Sequence, residues 1–477
     1  MRARRVVIVG NGMAGHRVAQ ALVARGDGSR ITLVGEEPRP AYNRVLLSSV
    51  LAGQADADAL ELPDPGVRAC LGVRATALDT AARRVGLSDG TDLPYDALVL
   101  ATGARPLIPP VPGLSLPDGS PAPGVATFRT LEDCAGIARL ASSGPMAVLG
   151  GGLLGVEAAR GLAGLGVDVT LVHPFGHPME SQLDAEAGAV LAGVLRGLGV
   201  RLLLGQGAAE WKPGAPATSE GPGDPGRLTL TDGSTVRCSG VVVTAGVAPA
   251  VDLARAAGLA VRRGIVVDDR LAASAPGVYA VGECAEHRGV CHGLVGPCWE
   301  QADALAAVLT GSGGGYTGSR PVIRLKARDI DLAVMGRVPR EPDDGTEVVR
   351  VSDPARGRYG ALALRADRVV GAVLLGLSEA TGPVTHLHDD RSPAPADRFS
   401  LLLGRTGGAV TGSPAALPNR ALVCRCNGVT KSRLVEAWRS GARDPAALAR
   451  TTWATTGCGG CADTVTEVCA WLERESA

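Results

Sequence analysis

A short apolar run closed by three glycines constrains this chain more than any other feature. Val6-Val7-Ile8-Val9 leads into Gly10-Asn11-Gly12-Met13-Ala14-Gly15, a G-x-G-x-x-G pattern. Four consecutive apolar residues read as a strand buried on both faces, which belongs in a parallel sheet covered by helices. In such a unit the first glycine permits the tight turn and the second lets backbone N–H groups approach a pyrophosphate. The third lets the helix pack on the strand. The helix then offers the positive end of its dipole to the phosphates. The pattern predicts a strand over Arg5–Val9, a helix over Met13–Ala24 and a second strand over Ile31–Val34. Glu36 follows that second strand, 21 residues after Gly15, where an acid accepts from ribose hydroxyls.

The pattern recurs. Ala147–Leu149 reads as strand, Gly150-Gly151-Gly152-Leu153-Leu154-Gly155 as the turn, Leu154–Leu165 as helix and Val169–Val172 as strand. Gly150, Gly152 and Gly155 take the three glycine roles again. Two such units in one chain imply two dinucleotides, a bound flavin and an exchanging nicotinamide, which would set a hydride donor beside an acceptor. The second unit has no acid after its second strand. His173 and Pro174 stand there, with His177 close by. NADH and NADPH therefore both remain open, and His173 reads equally as a polar strand-end residue or as a ribose contact.

The bulk numbers fit a multidomain globular protein. At about 150 residues per domain, 477 residues predict roughly three domains. Aromatics make up only 3%, which provides no stacking platform for single-stranded nucleic acid. Lys+Arg and Asp+Glu are both 48, and this balance argues against a nucleic-acid partner. No apolar run reaches the length of a membrane span, and Arg4-Arg5 precede too short an apolar run for a signal, so a cytoplasmic protein is expected. Eleven cysteines without a signal do not suggest a disulfide framework.

Further along, Gly205–Arg227 reads as a surface loop, and Val241–Thr244 and Val278–Val281 as short strands. Val322–Leu325, Leu332–Met335 and Val369–Leu375 suggest a small α+β unit. Pro and Gly crowd residues 391–419, which read as a linker. Helical stretches at Ser432–Arg439 and Thr464–Arg474 surround four cysteines. The expected fold is α/β, with paired Rossmann-like units. Residues 1–115 and 246–318 form a flavin domain, 116–245 a nicotinamide domain, 319–390 a small α+β domain and 420–477 a small helical domain.

Two more segments extend the pattern. Leu98-Val99-Leu100-Ala101-Thr102-Gly103 is a strand ending in A-T-G, and Val278–Cys284 is a strand ending in Gly282-Glu283. With the first fingerprint and the G-x-x-P turn of Gly246 and Pro249, the first 310 or so residues resemble the two-dinucleotide flavoprotein disulfide-reductase superfamily. The resemblance implies FAD held by Gly10, Gly12, Met13, Ala14, Gly15, Glu36, Ala75, Thr102, Gly103 and Gly282. The family's ribityl-binding acid falls on Glu283, here one methylene longer than the usual Asp. No C-x-x-x-x-C or C-x-x-C occurs in this part of the chain. Tyr42–Ser49 instead resembles the ferredoxin- and rubredoxin-reductase branch and the flavin portion of assimilatory nitrite reductases, which implies a flavin contact at Arg44. A lysine common in that branch is Ser49 here. Trp299-Glu300-Gln301 looks like a helix start near the isoalloxazine. Glu157 matches a family glutamate near the nicotinamide and reads equally as a first-turn acid favoured by the helix dipole. Cys284, Cys291 and Cys298, spaced by seven beside His287 and His292, read as buried packing ahead of a metal site.

Cys424-Arg425-Cys426 and, after 31 residues, Cys458-Gly459-Gly460-Cys461 can close one tetrahedral zinc site or one [2Fe–2S] cluster. The C-x-C arm joined to C-x-x-C resembles the bacterioferritin-associated ferredoxin-type domain, which implies [2Fe–2S]. Gly457, Gly459 and Gly460 can turn backbone N–H groups toward sulfur. Arg420, Arg425, Lys431 and Arg433 read as a basic rim that steers an acidic acceptor, or as a plain solvated surface.

The order of parts resembles the N-terminal half of assimilatory NAD(P)H nitrite reductase large subunits and the electron-transfer subunit of assimilatory nitrate reductases. A siroheme-binding half would follow the cluster, and the sequence stops at Ala477, so the electron-transfer subunit is the expected match. The resemblance implies NAD(P)H, FAD and a [2Fe–2S] cluster in series, with a catalytic nitrate reductase subunit as acceptor and the linker as a tether for a swinging cluster domain. A reductase of a ferredoxin, rubredoxin or heme protein, and an iron–sulfur redox sensor, are the alternatives. Homo-oligomerisation stays open.

Overall fold

The computed structural model describes residues 3–26, 28–214, 224–341, 345–405, 414–415, 417–424, 427–456 and 460–476. Two parallel five-stranded sheets carry the dinucleotide fingerprints. In the first, the strands lie in the order Val278–Ala280, Ala97–Leu100, Arg5–Val9, Arg30–Gly35 and Arg68–Leu71. The second runs Val200–Leu204, Val169–His173, Met146–Leu149, Gly240–Val243 and Val125–Thr127. Central strands of such sheets are covered on both faces, so they are apolar throughout. Ala97, Leu98, Val99 and Leu100 are all fully buried.

The fingerprint helices are Met13–Arg25 and Leu153–Gly164. Gly10 and Gly150 turn the chain with φ of +113° and +114°, a region that L side chains rarely enter. A Cβ at Gly15 would overlap the carbonyl oxygen of Gly10, and one at Gly155 the carbonyl oxygen of Gly150. The third glycine of each fingerprint therefore serves packing of helix on turn.

A third sheet is antiparallel and runs Val322–Arg324, Leu332–Gly336, Arg368–Leu375, Arg358–Arg365 and Thr346–Asp353. One of its faces shares a core with the second fingerprint unit, where Leu332 and Tyr359 pack with Leu162 and Leu191. Tyr359 also donates its hydroxyl to Asp184 across 2.7 Å. The opposite face is covered by the helices Ser378–Asp390 and Arg398–Leu402, which bring Val384, Leu401 and Leu402 against Leu362 and Leu374. This sheet thus braces the second dinucleotide unit.

The last unit pairs Leu422–Cys424 with Val429–Thr430 and adds the helices Lys431–Arg439, Pro445–Thr452 and Ala462–Ser476. Its own core holds Leu434, Trp438, Leu448, Val465 and Val468. The helix Pro445–Thr452 starts with Pro at its first position and Asp444 capping the Ala447 N–H.

Several expectations need correction. Gly205–Arg227 is not all loop. Ala208–Lys212 pairs with Gly226–Leu230, and Trp211 anchors a core, donating Nε1–H to the Pro123 carbonyl at 3.0 Å. The expected linker of residues 391–419 is packed in its first part, where Ala394, Leu401 and Leu402 are buried. Residues 406–413 and 416 lie outside the described residues. Trp299–Gln301 lies inside a helix that begins earlier, Val295–Leu309. Lys431 is no rim charge. It is buried, donates Nζ–H to the carbonyls of Ala415 and Leu417, and sits over the Trp471 ring. Arg420 pairs with Asp390 at 3.4 Å, Arg433 is exposed, and Arg425 lies outside the described residues.

Candidate functional site

Both fingerprints open on one cavity of about 2260 Å³. Typical small-molecule pockets hold about 300–1,000 Å³, so this one has room for more than one large ligand. Gly10, Gly12, Met13, Ala14, Glu36, Arg44 and Ala75 line it from the first unit. Thr102, Gly103, Gly282 and Glu283 close that end. Gly150, Gly152, Glu157, His173 and Gly246 line the second end. Gly15 and Gly155 lie beneath the turns rather than on the wall.

At the end lined by the first fingerprint, long-range contacts hold the turns. The Gly282 N–H donates to Gln301 Oε1 at 2.8 Å, and Trp299 Nε1 donates to the Met13 carbonyl at 3.0 Å. Thr102 Oγ1 donates to the Ala250 carbonyl at 2.6 Å. Arg44 crosses near Gly12, forms an ion pair with Glu37 and lies over the Tyr42 ring at 5.0 Å. Tyr42 is buried, which pushes its hydroxyl up to about 12, and it donates to Glu37 at 2.8 Å. Glu36 is exposed at the cavity edge.

Glu283 is paired with Arg129, and both are largely buried. Arg129 is delivered by a capping box: Thr130 Oγ1 accepts from the Asp133 N–H at 3.1 Å, while Asp133 accepts from the N–H groups of Arg129 and Thr130. Sequence reading missed Arg129. The T-x-x-D spacing of Thr130 and Asp133 marks the helix start, but nothing local links Arg129 to Glu283.

At the second end, Glu157 is buried on its helix. Its Oε1 accepts from the Lys326 backbone N–H at 2.9 Å and lies 3.3 Å from Lys326 Nζ. Next to it, Arg160 pairs with Asp329 at 2.5 Å. Both ring nitrogens of His173 are engaged inside the chain, one by the Gly151 N–H and one by Glu180.

Cys424 and Cys461 of the last unit also line the cavity. The Cys461 thiol, together with N–H groups of Asn427 and Thr455, outweighs burial and holds the Cys424 thiol below its ordinary value. Asn427 Nδ2 also points at Cys424 Sγ across 3.6 Å. A cysteine held low by a second thiol and by N–H donors suits an iron–sulfur ligand set. Cys426, Cys458, Gly457 and Gly459 lie outside the described residues. Elsewhere, Cys284 is fully buried and donates to the Val281 carbonyl at 3.3 Å, and burial raises its thiol and that of Cys298.

The C-terminal unit is seated on the first fingerprint unit. Asn43 Nδ2 donates to the Thr456 carbonyl at 2.6 Å, and the His16 and Trp453 rings lie 6.3 Å apart. Among the described residues, no helix is long and apolar enough to cross a membrane.

Residues 321–381 match the rubredoxin NAD+ reductase C-terminal domain, and residues 422–471 the BFD-like [2Fe–2S] binding domain. The chain is 35% identical over 481 residues to a nitrite reductase [NAD(P)H] of Bacillus subtilis, covering 98% of this chain and 58% of that protein. It is 34% identical over 483 residues to the assimilatory nitrate reductase electron transfer subunit of the same organism, covering 99% and 60%. The chain thus spans about three fifths of the length of these two relatives. The covalent putidaredoxin reductase–putidaredoxin complex superposes with a TM-score of 0.73 at 29% identity, covering 83% of this chain and 96% of that one. Residues 4–303 match the pyridine nucleotide-disulphide oxidoreductase family. The chain belongs to that family of FAD- and NAD(P)H-dependent oxidoreductases and carries a [2Fe–2S]-binding domain at its C-terminal end.

Proposed function

We propose that this chain is an NAD(P)H-dependent flavin/[2Fe–2S] reductase whose acceptor is a separate protein, first among candidates the catalytic subunit of an assimilatory nitrate reductase. When bound, the cofactors supply hydride acceptance and one-electron steps, in the order NAD(P)H, FAD, cluster. The chain supplies placement. Gly10, Gly12 and the helix Met13–Arg25 would bind the flavin pyrophosphate, and Arg44, Thr102 and Glu283 would orient the rest of it. Gly150, Gly152 and the helix Leu153–Gly164 would bind the nicotinamide dinucleotide, with Glu157 beside its reactive end. Cys424, Cys426, Cys458 and Cys461 would ligate the cluster. One observation carries the reading: both Gly-rich turns and the thiols of Cys424 and Cys461 face one cavity.

Likeness to an assimilatory nitrate reductase electron transfer subunit along 99% of the chain supports the acceptor. A second reading is reduction of a ferredoxin. It is supported by 36% identity over 293 residues to the ferredoxin–NAD(+) reductase subunit of a benzene 1,2-dioxygenase system of Pseudomonas putida, covering 67% of that protein. Anaerobic titration with NADH and then NADPH, followed by visible absorbance and low-temperature EPR, tests the proposal. Flavin bleaching together with a reduced [2Fe–2S] signal is expected. Bleaching without an iron signal, on protein that contains zinc, would overturn it. Acceptor choice is read by adding a nitrate reductase catalytic subunit or a ferredoxin to the NADH-reduced protein and timing the return of oxidised flavin.

A further inference from the structure

The second dinucleotide unit ends its second strand on His173, where a carboxylate would ordinarily meet the adenosine ribose. The fold brings a carboxylate there from seven residues further on. Beyond Pro174 the chain turns back, and the Met179 N–H donates to the Gly151 carbonyl at 2.9 Å. Met179 is fully buried and holds a left-handed φ of +55°, so the reversal is specified by packing rather than by a glycine. The Gly151 N–H donates to His173 Nδ1 at 2.9 Å. With Nδ1 accepting, the neutral ring carries its proton on Nε2, which faces Glu180 Oε2 at 2.9 Å. Gly151, His173, Glu180 and Met179 therefore close a ring of contacts on the Gly-rich turn. The other carboxylate oxygen, Oε1, has a contact from Ser181 Oγ at 3.5 Å, and Glu180 lines the cavity.

We infer that Glu180, positioned by His173, is the acceptor for the adenosine-ribose hydroxyls of the nicotinamide dinucleotide and makes the chain select NADH over NADPH. A carboxylate can accept from both vicinal hydroxyls of an unphosphorylated ribose, whereas a 2′-phosphate would meet it as a like charge. None of the neighbouring cavity-lining residues Pro174, Phe175, Ser181 and Gln182 is cationic, so this wall carries no counter-charge for that phosphate. A His at the strand end thus does not leave the site without an acid. It holds one.

This inference rests on the reading of the chain as a nicotinamide-dependent reductase, and the experiment separates the two. Binding of NAD+ and NADP+ to the flavin-loaded full chain is measured by calorimetry, and half-saturation of flavin bleaching is measured with NADH and NADPH. The native chain should favour the unphosphorylated nucleotide by about tenfold or more, and Glu180→Gln should bring that ratio toward one with flavin content unchanged. His173→Phe, which keeps a ring but removes its Nε2–H, should lower the ratio in the same direction. Glu180→Ala serves as the second removal of the carboxylate. Equal binding of the two nucleotides by the native chain, or an unaltered ratio in both Glu180 variants, would overturn the assignment. If neither nucleotide binds and neither bleaches flavin, the reductase reading fails as well.

Discussion

The side-chain amide of Asn43 donates to the Thr456 carbonyl across 2.6 Å, joining residues 413 apart in the chain. The other end of the same amide accepts from the Val45 N–H at 3.0 Å and caps the short turn that carries Arg44. Thr456 stands two residues before Cys458. Asn43→Asp keeps the cap and removes the donor. A hydrogen bond contributes about 0.5–1.5 kcal/mol, so the equilibrium constant for seating should fall about two- to tenfold. After rapid mixing with NADH, the reduced-cluster EPR signal should grow more slowly, by at most that factor, while flavin bleaching keeps its rate. A signal that rises as in the native chain would show that this contact plays no part in electron delivery.

The third glycines of the two fingerprints should separate the two ligands. A Cβ at Gly15 or at Gly155 would overlap a backbone carbonyl, and such overpacking costs about 1–3 kcal/mol. Gly15→Ala should purify with little flavin, read as the ratio of visible to ultraviolet absorbance. Gly155→Ala should keep its flavin and lose NADH-driven bleaching. Flavin lost to the same extent in both variants would contradict the assignment of the two ends.

Glu157 and Lys326 tie the second fingerprint helix to the antiparallel sheet through a buried ion pair. Removing one partner of such a pair leaves an uncompensated charge at a cost of about 3–5 kcal/mol, toward the low end here because Lys326 reaches solvent. Glu157→Gln and Lys326→Met should each lower the melting temperature, and the double variant should fall by less than the sum. A coupling of about 0.5–3 kcal/mol is expected for residues in contact. Strict additivity would mean that the two do not interact.

Asp269 fastens Arg288 at 2.7 Å and His287 at 2.9 Å. The Arg288 hydrogen bond, with that from His287, holds its carboxyl down at about 2. A depressed acid stabilises the fold above its unfolded pKa of about 3.9, and that contribution is lost as pH falls toward the folded value. Between about pH 4 and pH 2, acid unfolding of Asp269→Asn should therefore depend less on pH than that of the native chain. Parallel acid-unfolding curves would refute this.

Motifs carried within one stretch of chain were legible. Strand, turn and helix around Gly10–Gly15 and Gly150–Gly155 follow from apolar runs and glycine spacing, because a βαβ turn is built from consecutive residues. The C-x-C and C-x-x-C spacings were legible too, whereas the approach of Cys424 to Cys461 across 37 positions is a product of the fold. The strand Ala208–Lys212 was not, since its Gly- and Pro-rich surroundings mask one half of a hairpin whose partner begins at Gly226. Lys431 was misread as a surface charge because composition cannot reveal that the carbonyls of Ala415 and Leu417 turn toward it.

The sequence by itself determined the two glycine-rich turns and the family, since each is written in local spacing. Only the tertiary structure decided the pairings that finish the site: Arg129 with Glu283, Lys326 with Glu157, Asn43 with Thr456 and Glu180 with His173. The first three join different parts of the fold, and the last depends on a reversal held by a buried methionine. Such contacts depend on how packed units approach one another, and no periodicity or motif along the chain encodes that approach.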